Sequence, residues 1–150
     1  MREILFRGQT RKKGEKVRLD GSPIDSNWVY GGIFPNNEGG DFAIIYQQYP
    51  KIEKYTVYVD TVGQFTGLTD KNGRKIFEGD IIHLEYSQVF FGGEYFGEYT
   101  AEVSYKEGCF ITNGINNGDE IETPLSGFDN DELEIIGNIH DNPEMLEVTK

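Results

Sequence analysis

The stretch TVGQFTGLTDKNGRKIFEGDII, Thr61 to Ile82, constrains the fold more than any other part of this chain. It sets two β-type runs around Asn72-Gly73, a pair that tolerates positive φ and so favours a tight turn between antiparallel segments. Gly79-Asp80 then bends the chain into a further run, Ile81 to Tyr86. Gly67, Asn72, Gly73, Gly79 and Asp80 are the residues expected to shape these reversals. The stretch holds no nucleophile, no metal cluster and no phosphate loop, since GQFTGLTDKNG fits neither GxGxxG nor GxxxxGK[ST]. Lys71 within it reads as a turn residue.

The flanking sequence has the same character. Asp41 to Tyr49 puts Phe42, Ile44 and Tyr46 on one face and Ala43 and Ile45 on the other. Lys54 to Asp60 alternates Tyr55, Val57 and Val59 with Thr56, Tyr58 and Asp60. Tyr95 to Lys106 sets Tyr99, Ala101, Val103 and Tyr105 against Glu98, Thr100, Glu102, Ser104 and Lys106. A period of two over such lengths is the mark of half-buried antiparallel strands. Ile4–Phe6, Trp28–Tyr30, Cys109–Ile111 and Glu134–Ile139 read as shorter strands. Pro35–Gly40 and Asn113–Asp119 read as turn-rich loops, and residues 120–128 as irregular. Asn142-Pro143-Glu144 is a helix start with room for a turn or two.

Nineteen Gly and a 13% aromatic share fit a β-rich protein with short connections. The expected class is mainly β. A β region over 1–60 precedes a small, partly open barrel of SH3-like type over 61–150, and the two could pack as one unit. A chain of 150 residues buries roughly 68–70% of its unfolded surface, enough for a core without staples. The lone Cys109 and the lack of any run of about 18 apolar residues point to a cytoplasmic, non-membrane protein.

Charge is unevenly placed. Met1 to Tyr86 carries 12 basic and 12 acidic residues, while Ser87 to Lys150 carries 2 basic and 14 acidic. An acidic surface repels nucleic acid and anionic membranes and attracts basic partners. Arg7, Arg11, Lys12, Lys13, Lys16 and Arg18 form a basic run that could serve as a phosphate-binding arm or be a solvated loop.

Chemistry-bearing motifs are absent. Cys109, His83 and His140 are far apart and none is doubled, so only a site assembled in space could bind a soft metal. An EF-hand loop starting at Asp129 puts Glu134 at the invariant Gly and His140 at the bidentate Glu, and one starting at Asp70 puts Lys75 and Ile81 there. Both registers fail. Cys109 reads as a small buried hydrophobe, and Ser87, Ser104 and Ser126 lack a nucleophile-elbow context. No catalytic residue, cofactor or metal ligand is expected.

MREILFRG at 1–8, WVYG at 28–31, the 61–82 stretch and EIIGNIHDNPEML at 134–146 together resemble the YopX family of phage and prophage proteins. Residues 16–27 look like an insertion, and His140 stands where an aromatic residue is more typical. The resemblance implies a mostly β fold with an SH3-type C-terminal barrel, and a phage or prophage gene expressed in bacterial cytoplasm. It implies no catalytic residues. The functional expectation is a non-enzymatic, self-associating interaction module, a homo-oligomer whose acidic half takes a basic host or phage protein. The alternatives are nucleic-acid binding through Arg7–Arg18 and an enzyme with an unrecognised site.

Overall fold

A computed structural model describes residues 2–16, 27–34, 40–48 and 50–147. Arg18, the 35–39 part of the expected turn cluster and positions 17–26 of the apparent insertion lie outside the described residues. The chain is mainly β and divides into two compact units, Met1–Phe65 and Thr66–Lys150.

In the first unit, β1 (Phe6–Gln9), β2 (Trp28–Phe34), β3 (Phe42–Gln47), β4 (Glu53–Tyr58) and the start of β5 (Gly63–Thr69) form an antiparallel sheet in the order β4-β3-β2-β1-β5. A 3-10 turn, Val59–Thr61, joins β4 to β5. Ala43, Ile45 and Val57 are buried, with Phe6, Val29, Ile33 and Val62 packed around them. Alternation on β3 is as expected, and burial selects the Ala43/Ile45 face. β1 starts later than Ile4–Phe6 suggests. Ile4 is exposed, and the strand instead reaches Gln9 to pair with Trp28. Gly8 allows this, because a Cβ there would lie 2.8 Å from Val57 Cγ2. The Thr61 hydroxyl ties the end of β1 down. It accepts the Gln9 N–H at 2.8 Å and donates to the Tyr58 carbonyl at 2.6 Å.

In the second unit, β6 (Lys75–Phe77) lies beside the end of β5, where the Thr66 hydroxyl donates to the Ile76 carbonyl at 2.8 Å. β7 (Asp80–Phe90), β8 (Gly93–Lys106), β9 (Cys109–Asn116) and β10 (Asp119–Pro124) follow as a meander. The chain then passes through 3-10 turns Leu125–Gly127 and Asn130–Glu132. β11 (Leu133–Asn138) returns to the far side of β7, giving the order β10-β9-β8-β7-β11. α1 (Glu144–Glu147) ends the described chain. Five strands and a short helix suit the expected small barrel, but the sheet is not closed: β10 and β11 are its outer strands and do not pair.

The core of this unit is Ile76, Ile82, Leu84, Tyr99, Ala101, Val103, Leu125, Leu133 and Ile135. Fully burying each aliphatic side chain contributes about 1.5–3 kcal/mol. Two expectations change here. Asn113–Asp119 is mostly strand, and residues 120–124 continue as β10. The reversal is confined to Asn117-Gly118, and a matching pair, Glu107-Gly108, joins β8 to β9. Both residues of each pair have positive φ, the twist a two-residue hairpin loop needs.

Candidate functional site

β7 has 11 residues, yet β11 covers only Asp80 to Leu84 of it. Beyond Leu84 no described strand pairs with β7 on that side. The 3-10 turn Asn130–Glu132 passes there instead, and a groove of about 440 Å³ opens between them. Glu85, Ser87, Phe96, Glu98, Tyr86, Gly97, Asp131 and Glu132 line it. Four of these are carboxylates, and none of the eight is basic.

Local rules place each of these side chains. Ile82 and Leu84 face the core, so His83, Glu85 and Ser87 face the other way on β7. Cross-strand pairing sets Thr100, Glu98 and Phe96 opposite them on β8. Phe96 is 78% exposed, an apolar ring held at the mouth of an acidic site. Tyr86 lies directly across from Gly97, where a Cβ would come within 2.3 Å of the tyrosine ring and hydroxyl. Glycine therefore lets that ring lie flat on the neighbouring strand. The ring meets Tyr99 edge-on, with centroids 6.1 Å apart, and its hydroxyl accepts a hydrogen bond from Asn116 Nδ2 at 3.1 Å. The far wall is braced by Glu132, whose carboxylate accepts the Asp129 N–H at 2.8 Å while its own N–H donates to the Asp129 carbonyl at 3.0 Å. The acidic run that failed as an EF-hand is thus a self-capped turn.

A mixed donor set stands at the same place. His83 Nε2 is 3.3 Å from Glu98 Oε2 and 3.9 Å from Glu85 Oε1, and the three donor atoms lie within 4.8 Å of one another. The side chains come from adjacent positions on one face of the β7–β8 pair. Spacing along the chain could not show this, because the pairing of Glu98 with Glu85 is set by the hairpin register.

The residues expected to shape turns do so locally. Gly73 has φ 78° and Gly79 φ 88°, both in the left-handed region. Asn72 has no positive φ; its N–H donates to Asp70 Oδ1 at 3.0 Å. Gly67 takes φ 88° within β5 rather than at a reversal. The buried Asp80 accepts the Phe77 N–H at 2.8 Å. The residue missed was Asp70. It also accepts N–H groups from Arg74 at 2.9 Å and from Ile135, across on β11, at 3.0 Å. Burial pushes its carboxyl up, but the three N–H donors together hold it below the usual carboxylate range. Lys71 in the same turn pairs with Glu134 at 2.7 Å.

Cys109 is exposed at the start of β9 rather than buried. His140 is part-buried beside Gly79. The basic run is partly engaged with its own unit. Arg7 is buried with its guanidinium 4.5 Å from the Trp28 ring centre, Arg11 donates to the Glu15 carbonyl, and Lys12 pairs with Asp60 at 3.1 Å while lying over Tyr58. The first unit also presents an aromatic sheet face. Tyr30 and Phe34 on β2 and Phe42 and Ile44 on β3 are all exposed. Phe34 meets Tyr46, and Phe42 meets Tyr58 at 5.3 Å between centroids. Among the described residues no helix is long and apolar enough to cross a membrane.

A search of curated proteins found no match. The crystal structure of protein EF1440 from Enterococcus faecalis is similar with a TM-score of 0.51, at 21% identity, over 97% of this chain and 99% of that one. At that identity the likeness speaks for the fold alone. The family model described as YopX protein matches residues 25–147, a span that includes both the turn-forming stretch and the groove. The chain belongs to the YopX family.

Proposed function

We propose that the chain is a non-enzymatic protein-interaction module whose second unit takes a basic, extended segment of a partner protein along the uncovered part of β7. One observation carries the reading: a strand edge that no described strand covers opens into a groove walled by Glu85, Glu98, Asp131 and Glu132, with Phe96 exposed at its mouth. A strand edge offers backbone groups to an added strand, and the side pockets then select its residues. Four carboxylates select Lys or Arg, and the aromatic ring gives a cation or its stem a face to lie on. The first unit carries 9 basic and 8 acidic residues and the second 5 and 18, so the field that gathers a basic partner belongs to the second. The phage setting of the family makes a host or phage protein in bacterial cytoplasm the natural partner.

Self-association fits the other unit. Its nearly neutral aromatic face, Tyr30, Phe34, Phe42 and Ile44, meets a second copy of itself without charge repulsion. Nucleic-acid binding through Arg7–Arg18 draws less support, since Arg7 is buried and Lys12 is paired with Asp60.

Fluorescence anisotropy with a labelled penta-arginine peptide tests the groove. Binding is expected at low salt and should weaken as salt rises. The double reversal Glu98→Lys, Asp131→Lys should weaken it by roughly tenfold or more, which corresponds to about 1.4 kcal/mol. Absence of binding at low salt, or binding indifferent to the reversal, would sink the reading.

A further inference from the structure

We infer that His83, Glu85 and Glu98 form a binding site for a divalent transition-metal ion, with zinc the best match. Antiparallel register explains the convergence. Directly opposed residues have Cβ atoms about 4.5–5.5 Å apart and diagonal ones about 7–8 Å, so a strand pair can aim three long side chains at one point above the sheet. Glu85 and Glu98 are directly opposed, and His83 is two residues along the same face of β7. Its Nε2 stands 3.3 Å from one carboxylate and 3.9 Å from the other.

Two opposed carboxylates repel one another, and that repulsion disfavours the pair unless a positive charge lies between them. A protonated imidazole supplies one charge and a divalent cation two. With the cation bound, the neutral imidazole becomes a ligand. Zinc–nitrogen and zinc–oxygen bonds are about 2.0–2.2 Å long, so donor atoms around a tetrahedral ion stand roughly 3.3–3.5 Å apart. His83 and Glu98 are already at that separation. The exposed Glu85 side chain, 65% accessible, closes the remaining gap by side-chain rotation alone. One imidazole with two carboxylates favours zinc or cobalt over magnesium and calcium, which are bound through oxygen. Three protein ligands leave a fourth position to water.

The chain has only two histidines, which makes the test direct. Untagged full-length protein is titrated with zinc chloride while both imidazole side chains are followed by nitrogen-15 NMR. Binding is measured in parallel by calorimetry. The His83 ring nitrogens should shift and His140 should not. His83→Ala should weaken zinc affinity by at least about tenfold, and Glu98→Gln should also weaken it, with the fold of each variant checked by circular dichroism. Cys109→Ser should bind zinc as the parent does. No change at His83 in millimolar zinc would overturn the inference, as would affinity unchanged in His83→Ala. The titration uses no peptide, so its outcome is independent of the interaction reading above.

Discussion

Asp70 is the buried side chain of the turn stretch that ties it to β11, beside the more exposed Lys71–Glu134 pair. It accepts the Asn72 and Arg74 N–H groups within its own turn and the Ile135 N–H on β11. Removing it leaves the Ile135 N–H without its acceptor in a buried place and loosens the part-buried Asn72 and Arg74 contacts, and Asp70→Ala should lower stability by about 1–3 kcal/mol. The pH dependence has a definite sign. The folded carboxyl sits below its ordinary value of 3.8, so its contribution is complete above that pH and disappears as pH falls through the lowered folded value. Urea unfolding should therefore separate parent and Asp70→Ala widely at pH 7 and progressively less in strong acid. Glu102 has the opposite sign. Burial pushes its carboxyl above 4.5, so the folded state loses stability as pH rises from there through the raised value. Glu102→Gln should raise the melting temperature at pH 7 and leave it unchanged near pH 4. A larger gain in acid would contradict this.

The strands show what a linear pattern can and cannot reveal. Tyr99, Ala101 and Val103 alternate cleanly and are buried as the alternation predicts, because a single strand decides its own two faces. Asn113–Asp119 reads as a loop in sequence because its two glycines and three asparagines dominate the composition. Gly114 is in fact required by packing, since a Cβ there would come within 2.4 Å of the Thr100 carbonyl. The groove was illegible for a different reason. Its walls come from β7, β8 and the turn before β11, and only tertiary register brings them together. The same holds for Asp70, whose turn is local but whose partner Ile135 is 65 residues away. Gly97 gives an element-scale test. Valine there collides with the Tyr86 ring, so Gly97→Val should cost about 1–3 kcal/mol by overpacking. It should also disturb the groove and weaken penta-arginine binding, while Gly32→Ala on β2, where an added Cβ meets nothing closer than 4.0 Å, should spare the groove. Equal loss of binding in both variants would show that the floor formed by Tyr86 is not what matters.

At the scale of the whole molecule, the two units differ in charge and in how their exposed apolar side chains are arranged. The excess of acid is in the second, with 18 acidic against 5 basic residues, and the exposed aromatic face is in the first. The proposed function gives partner capture to the second unit and self-association to the first. Light scattering during size-exclusion chromatography should give a dimer for the parent and a monomer for Phe34→Asp, whereas a monomeric parent at tens of micromolar would remove self-association. Backbone NMR of the full chain titrated with penta-arginine tests binding in the groove most directly. Amide shifts concentrated at Tyr86, Gly97, Glu98, Asp131 and Glu132 are expected. Shifts confined to the first unit, or none at all, would contradict binding there.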